Sequence, residues 1–259
     1  MAELQSQLSS FQTIWKGGYY GGDPRHPTQC TEYGPLMLIS SHYAIVKTLI
    51  EPNVRSGSRV LEIGPGRGGW TRAFKDATEI YCLDALSAEH NSFWNLVGEV
   101  NRDRIKYFQV RDAKLTECPD DAFDFLFSFG AFCHMPQEIR EDYFRNMFGK
   151  AKSGAVGVFM FADFDKFNVA YTDLSQTRTT SLTLLGLRAM IRWYGGRLLS
   201  NFRKSEGLLD KNDTEARPGR FFHGGIRETS AFLEQVGWEV LSPDIGLNLR
   251  DPIVVFRKP

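Results

Sequence analysis

Glycine falls at positions 64, 66, 68 and 69, directly behind Val60, Leu61, Glu62 and Ile63. A short, mainly apolar run of that kind forms a buried strand. The glycines permit an abrupt turn, and Trp70 to Lys75 reads as the opening of a helix over 70–75. Strand, glycine turn and helix in that order form the ligand-binding corner of an open α/β sheet. Glycine lets backbone approach a ligand closely, and a helix N-terminus offers N–H donors. A chain built on this corner is expected to continue as alternating strands and helices.

The alternation is present. Strands are expected at 79–83 (ending in Asp84), 105–110, 123–129 and 155–161, with helices over 87–100 and 136–151. Further on come a helix over 228–236 and strands over 238–241 and 253–256. The last two strands are joined by a loop too short for a crossover helix, so they should pair antiparallel. The expected fold is therefore α/β: a doubly wound, mostly parallel seven-stranded Rossmann-like sheet with a C-terminal antiparallel strand. Residues 1–55 read as an N-terminal helical cap, with helices over 3–16 and 35–49 around a glycine-rich loop carrying Tyr19 and Tyr20. Residues 56–164 and 223–259 form the core of a single domain, and 165–222 a lid insert after the fifth strand, locally basic and with a helix over 180–194.

Composition narrows the partners. Thirty-one basic residues balance 31 acidic ones, so no overall field favours nucleic acid or an anionic membrane. The four cysteines are scattered without a CxxC pair, which points to a reducing compartment and no structural zinc. The N-terminal residues lack a basic and apolar leader pattern, and no apolar run approaches membrane-spanning length, so a cytoplasmic location is expected. Twenty phenylalanines are explained mostly by core packing, with some left to line a cavity.

Gly64, Gly66 and Gly69 formally match a dinucleotide fingerprint, with Asp84 where a ribose-binding acid belongs. Three details point elsewhere: Glu62 inside the first strand, Asp112 ending the third, and the closing antiparallel pair. Together, the run Val60 to Gly68, Asp84, Asp112, and Phe123 to Gly130 followed by His134, Met135 and Pro136 resemble the class I S-adenosylmethionine-dependent methyltransferases. The resemblance covers about 56–165 well and 223–259 in outline, and bacterial enzymes acting on sugars or small secondary metabolites come nearest to it. It implies S-adenosyl-L-methionine as cofactor. Glu62 would meet its ammonium group, Asp84 its ribose hydroxyls, and Asp112 and the Ala113 N–H its adenine. Gly64, Pro65, Gly66, Ala85, Phe129 and Tyr19 would complete the contacts.

For methyl transfer to a hydroxyl, a base helps. His134, just past the fourth strand, and His223, behind the insert, are the candidate catalytic residues, with Asp163 and Asp165 next in line. Tyr20, His26, Asp163 and Arg192 are candidate contacts for a small-molecule acceptor, either sugar-containing or anionic, since arginine forks bind phosphate and carboxylate. His42 and His90 read as surface or helix histidines. No metal is expected, no nucleic-acid or membrane partner, and a homodimer stays open. Two other readings stand beside O-methylation: an N-methyltransferase of a heterocyclic metabolite, and an NAD-binding Rossmann protein.

Overall fold

The computed structural model describes residues 23–27, 41–177, 209–211, 221–248 and 251–259. The helices expected over 3–16 and 180–194, the Tyr19–Tyr20 loop and Arg192 lie outside them.

The strands are β1 (Arg59–Ile63), β2 (Glu79–Asp84), β3 (Ile105–Gln109), β4 (Phe123–Ser128), β5 (Ala151–Met160), β6 (Glu239–Ser242) and β7 (Ile253–Arg257). They form one seven-stranded sheet in the order β3-β2-β1-β4-β5-β7-β6. β1 to β5 run parallel, and β7 is antiparallel to both β5 and β6. The expected topology is thus observed, with β7 set between β5 and β6.

The helices are α1 (Ser41–Ile45, continued by a π-helical turn Val46–Ile50), α2 (Phe93–Val97), α3 (Gln137–Lys150), α4 (Phe164–Thr177) and α5 (Ile226–Val236). Strand alternation sends side chains to two separate cores. Val60, Cys82, Phe125, Phe127 and Val158 pack on one face with Trp70 and α1 residues Ile45 and Val46. Leu61, Ile63, Leu126, Phe159 and Phe256 pack on the other with Tyr143, Phe144 and Met147 of α3. Among the described residues nine phenylalanines, Phe74, Phe132 and Phe256 included, are fully buried, which accounts for much of the aromatic excess. Against β7, Gly157 leaves room for the Phe256 ring, whose Cζ lies 2.3 Å from where a Cβ at 157 would sit.

Three local expectations are corrected, and one helix is added to them. The helix over 70–75 is only a 3-10 turn, Thr71–Ala73. Arg104 reaches across to donate to the carbonyls of Phe74 (3.1 Å) and Ala77 (3.3 Å), which satisfies the end of the turn without further helix. The helix over 87–100 is reduced to α2 and a 3-10 turn, Glu99–Asn101, because Gly98 takes φ +90° between them. β5 begins at Ala151 rather than 155, with a register irregularity opposite Phe123 and Phe125 that absorbs Gly154. Finally, α4 occupies the start of the expected insert. Asp163 supplies its cap, its Oδ1 accepting the Lys166 N–H at 3.0 Å.

Candidate active site

β1 ends in the glycine turn. The Gly64 N–H donates to the Leu83 carbonyl at 2.8 Å, which seats the turn on β2. Gly64 has φ +72°, and a Cβ there would lie 2.3 Å from the Ala131 Cβ, so only glycine admits the chain leaving β4 this close. Pro65 is buried, and its carbonyl accepts the Gly68 N–H at 2.8 Å. The Gly66 N–H donates to Asp84 Oδ2 at 3.0 Å, and the Leu86 N–H to Asp84 Oδ1 at 2.8 Å. The carboxylate is therefore held in one orientation, and each oxygen keeps acceptor capacity for a further donor. Burial raises the Asp84 pKa, with the two backbone N–H groups working against that rise.

A cavity of about 160 Å³ opens beside this turn at the carboxyl ends of the parallel strands. Of the residues expected from sequence, Gly64, Gly66, Asp84, Ala85, Asp112 and His134 line it. Asp112 is half-exposed and accepts the Lys114 N–H at 3.0 Å. Ala113 is buried behind the wall, its carbonyl accepting Asn146 Nδ2 at 2.8 Å. The apolar wall comes from residues that sequence reasoning missed: Leu86, Met135, Ile139 and Tyr143. Ile139 and Tyr143 stand one helical turn apart on α3, an i,i+4 spacing that was the available signal. Burial pushes the Tyr143 hydroxyl's pKa up, so it stays protonated as a donor.

Glu62 sits on the opposite side of β1 and does not line this cavity. It is 2% exposed, and its Oε2 accepts the Thr71 hydroxyl at 2.6 Å and the Cys82 thiol at 3.6 Å. Burial lifts its pKa from 4.5 to about 7, and the negative charge of Asp84 adds to the rise. Burial likewise keeps Cys82 a thiol. Phe129 lies on this side too, its ring 4.6 Å from Trp70 and 5.1 Å from His42. His42, read from sequence as a surface or helix histidine, belongs to α1 but is buried in this aromatic cluster.

His134 ends the 3-10 turn Phe132–His134, and its ring packs 4.6 Å from that of Phe221. His223 lies away from the wall: its Nδ1 accepts the Phe164 N–H at 3.1 Å, so the one basic nitrogen of its neutral ring is already engaged. Burial also lowers its pKa. Asp163 is buried, and its Oδ2 accepts the Ile226 N–H at 2.8 Å, so this one carboxylate caps both α4 and α5. Asp165 is paired with Lys211 at the surface. His26 is exposed in the Asp23–Pro27 turn, which Asp23 ties to Arg72 at 3.4 Å. Tyr19, Tyr20 and Arg192 fall outside the described residues. Among those residues no group of three His, Cys, Asp or Glu side chains could hold a metal, and no helix is long and apolar enough to cross a membrane.

No curated protein matches the sequence. Residues 60–154, from β1 to the start of β5, match the family described as a methyltransferase domain. Among solved structures, the fold is similar to an S-adenosylmethionine-dependent methyltransferase from Mesorhizobium loti, at 17% identity and TM-score 0.56 over 85% of this chain and 98% of that one. It is also similar to the DhpI–SAH complex, at 18% identity and TM-score 0.53 over 98% of this chain and 96% of the other. The matched domain decides between a methyl donor and a dinucleotide for the glycine turn. Residues 60–154 thus match a methyltransferase domain, and the strand order, with its glycine turn and locked acid, is a fold shared with S-adenosylmethionine-dependent methyltransferases.

Proposed function

We propose that this methyltransferase transfers the methyl group of S-adenosyl-L-methionine to a hydroxyl of a small molecule, a sugar or secondary metabolite, with His134 as the base. The observation that carries this reading is the place of His134. Of the two candidate bases it alone lines the cavity, close to the Gly64–Ala131 contact, while His223 has its basic nitrogen engaged. Asp84, with its orientation fixed by two backbone donors, suits the vicinal ribose hydroxyls. Leu86, Met135, Ile139 and Tyr143 suit a flat apolar base, with Asp112 at the edge for an amino group. The hydroxyl oxygen attacks the methyl carbon in line with the departing sulfur, the C–S bond breaks, and the hydroxyl proton passes to the imidazole. The sulfonium charge disappears as S-adenosylhomocysteine forms, so transfer depends on alignment and exclusion of water more than on new charge stabilisation. Arginines between 165 and 222, Arg192 among them, support an acceptor carrying phosphate or carboxylate.

The test is a labelled-methyl assay on a metabolite extract, with mass spectrometry of whatever gains the methyl group. The acceptor found is then run with His134→Gln. A hydroxyl acceptor should lose roughly 10²- to 10⁴-fold in turnover with S-adenosylhomocysteine binding retained. A methylated nitrogen, with turnover hardly changed by the substitution, would replace this reading with N-methylation.

A further inference from the structure

Arg140 is 4% exposed on α3, and among the described residues its hydrogen-bond acceptors are main-chain carbonyls. Nη1 donates to Met135 at 3.2 Å and to Phe222 at 3.1 Å, and Nη2 to His223 at 2.8 Å. Met135 belongs to the cavity wall, whereas Phe222 and His223 lie more than 80 residues further along the chain. One guanidinium therefore joins the wall of the cavity to the segment that returns after residue 220.

That return is fixed at further points. The Phe222 N–H donates to the Cys133 carbonyl at 2.9 Å, beside His134, and the Gly224 N–H to the Ala162 carbonyl at 2.7 Å. Phe221, at the start of the return, places its ring against His134, which itself lines the cavity. Among the described residues Arg140 has no carboxylate partner, and a buried cation so placed is costly to keep. Burial draws the Arg140 pKa down to about 10, still well above neutrality, so the charge persists. What the charge holds is a second piece of chain at the edge of the cavity, and no carboxylate could bridge three carbonyls.

We propose that Arg140 is a positioning residue for methyl transfer: it clamps the Phe221–His223 return to the cavity wall and so fixes the Phe221 ring against the His134 imidazole. The proposal rests on the cavity being the cofactor site and His134 facing the acceptor. Phe221 then forms one side of the space left to the acceptor, and the clamp sets where a hydroxyl can lie relative to the imidazole.

The test compares the full-length wild type with Arg140→Met, Arg140→Lys and Phe221→Leu. It reads the imidazole proton resonances by NMR, with His134→Gln as assignment, and S-adenosylhomocysteine binding by calorimetry. In the wild type the Phe221 ring displaces the His134 ring protons from the positions of a free imidazole. Phe221→Leu should abolish that displacement and leave affinity for S-adenosylhomocysteine within about threefold. Arg140→Met should reproduce the Phe221→Leu spectrum, and Arg140→Lys should retain part of the displacement, since an ammonium can reach some of the carbonyls. A wild-type His134 spectrum in either Arg140 variant overturns the proposal. So does a spectrum no better in the lysine than in the methionine variant. If Arg140→Met does not fold, the lysine variant carries the test, with an unchanged spectrum as the refuting result. Failure of the wild type to bind S-adenosylhomocysteine would instead count against the cofactor site, separately from the clamp.

Discussion

Glu62→Gln should stabilise the protein in a strongly pH-dependent way. The native carboxyl titrates at about 7, against an ordinary 4.5, because it is buried, with a hydroxyl and a thiol as its donors among the described residues. Between those two values the folded state binds more protons than the unfolded state, so stability falls as pH rises through this window. Below about 4.5 both states are protonated and Glu62 contributes no pH dependence; above about 7 the native state bears the full burden of a buried anion. At about 1.36 kcal/mol per pH unit across the window, that burden is about 3 kcal/mol. Glutamine preserves the acceptor for Thr71 and Cys82 and cannot ionise. Urea unfolding of wild type and variant at pH 5, 6, 7 and 8 should give a stability difference that is small at pH 5 and grows in favour of the variant by about 3 kcal/mol at pH 8. A difference independent of pH would refute the reasoning, because it would mean the carboxyl is already ionised, or paired, in the acid range. The same variant addresses function. If the cofactor's ammonium meets this carboxylate, S-adenosylhomocysteine binding releases a proton near pH 6.5 in the wild type and none in the variant. Calorimetry in buffers of different ionisation enthalpy reads that release directly.

Two further perturbations follow from the glycine turn. Gly64→Ala forces an L-residue to φ +72° and a methyl into Ala131, which should cost about 2–5 kcal/mol from left-handed strain and overpacking together, read by denaturant midpoint. A variant within about 0.5 kcal/mol of wild type would show that the turn can relax. Asp84→Asn must point its amide NH₂ at either the Gly66 or the Leu86 N–H, a donor against a donor. It should weaken S-adenosylhomocysteine binding about 10- to 100-fold by calorimetry, and unchanged affinity would remove Asp84 from the ribose role.

The sheet was legible because its signals are local: apolar runs of strand length, glycine where φ must be positive, and acids at strand ends. Asp84 and Asp112 could be located for that reason, and both reach the cavity wall. Other features depend on distant chain. Glu62 lies in the same strand as Ile63, yet only Ile63 faces the cavity, and which side of β1 faces it is set by how the crossovers wind. Ile139 and Tyr143 look like ordinary core residues of an amphipathic helix, since apolar side chains read alike whether they meet a core or a ligand. Arg140 carries no local signal, since its burial depends on carbonyls from residues 222 and 223 that arrive over it. The helix expected after the glycine turn stops short because its closing acceptors are served by Arg104 from the loop before β3.

The position of β7 governs how this sheet can be completed. β7 covers the free edge of β5, and among the described residues β6 pairs with β7 alone. The two strands are close in sequence and pair antiparallel, completing the sheet beside β5. The Phe256 ring over Gly157 pins the register: the last strand cannot slip by one residue without driving its apolar side chains to the opposite face. The loop between β6 and β7 is held as well, Lys166 donating to Asp244 at 2.6 Å.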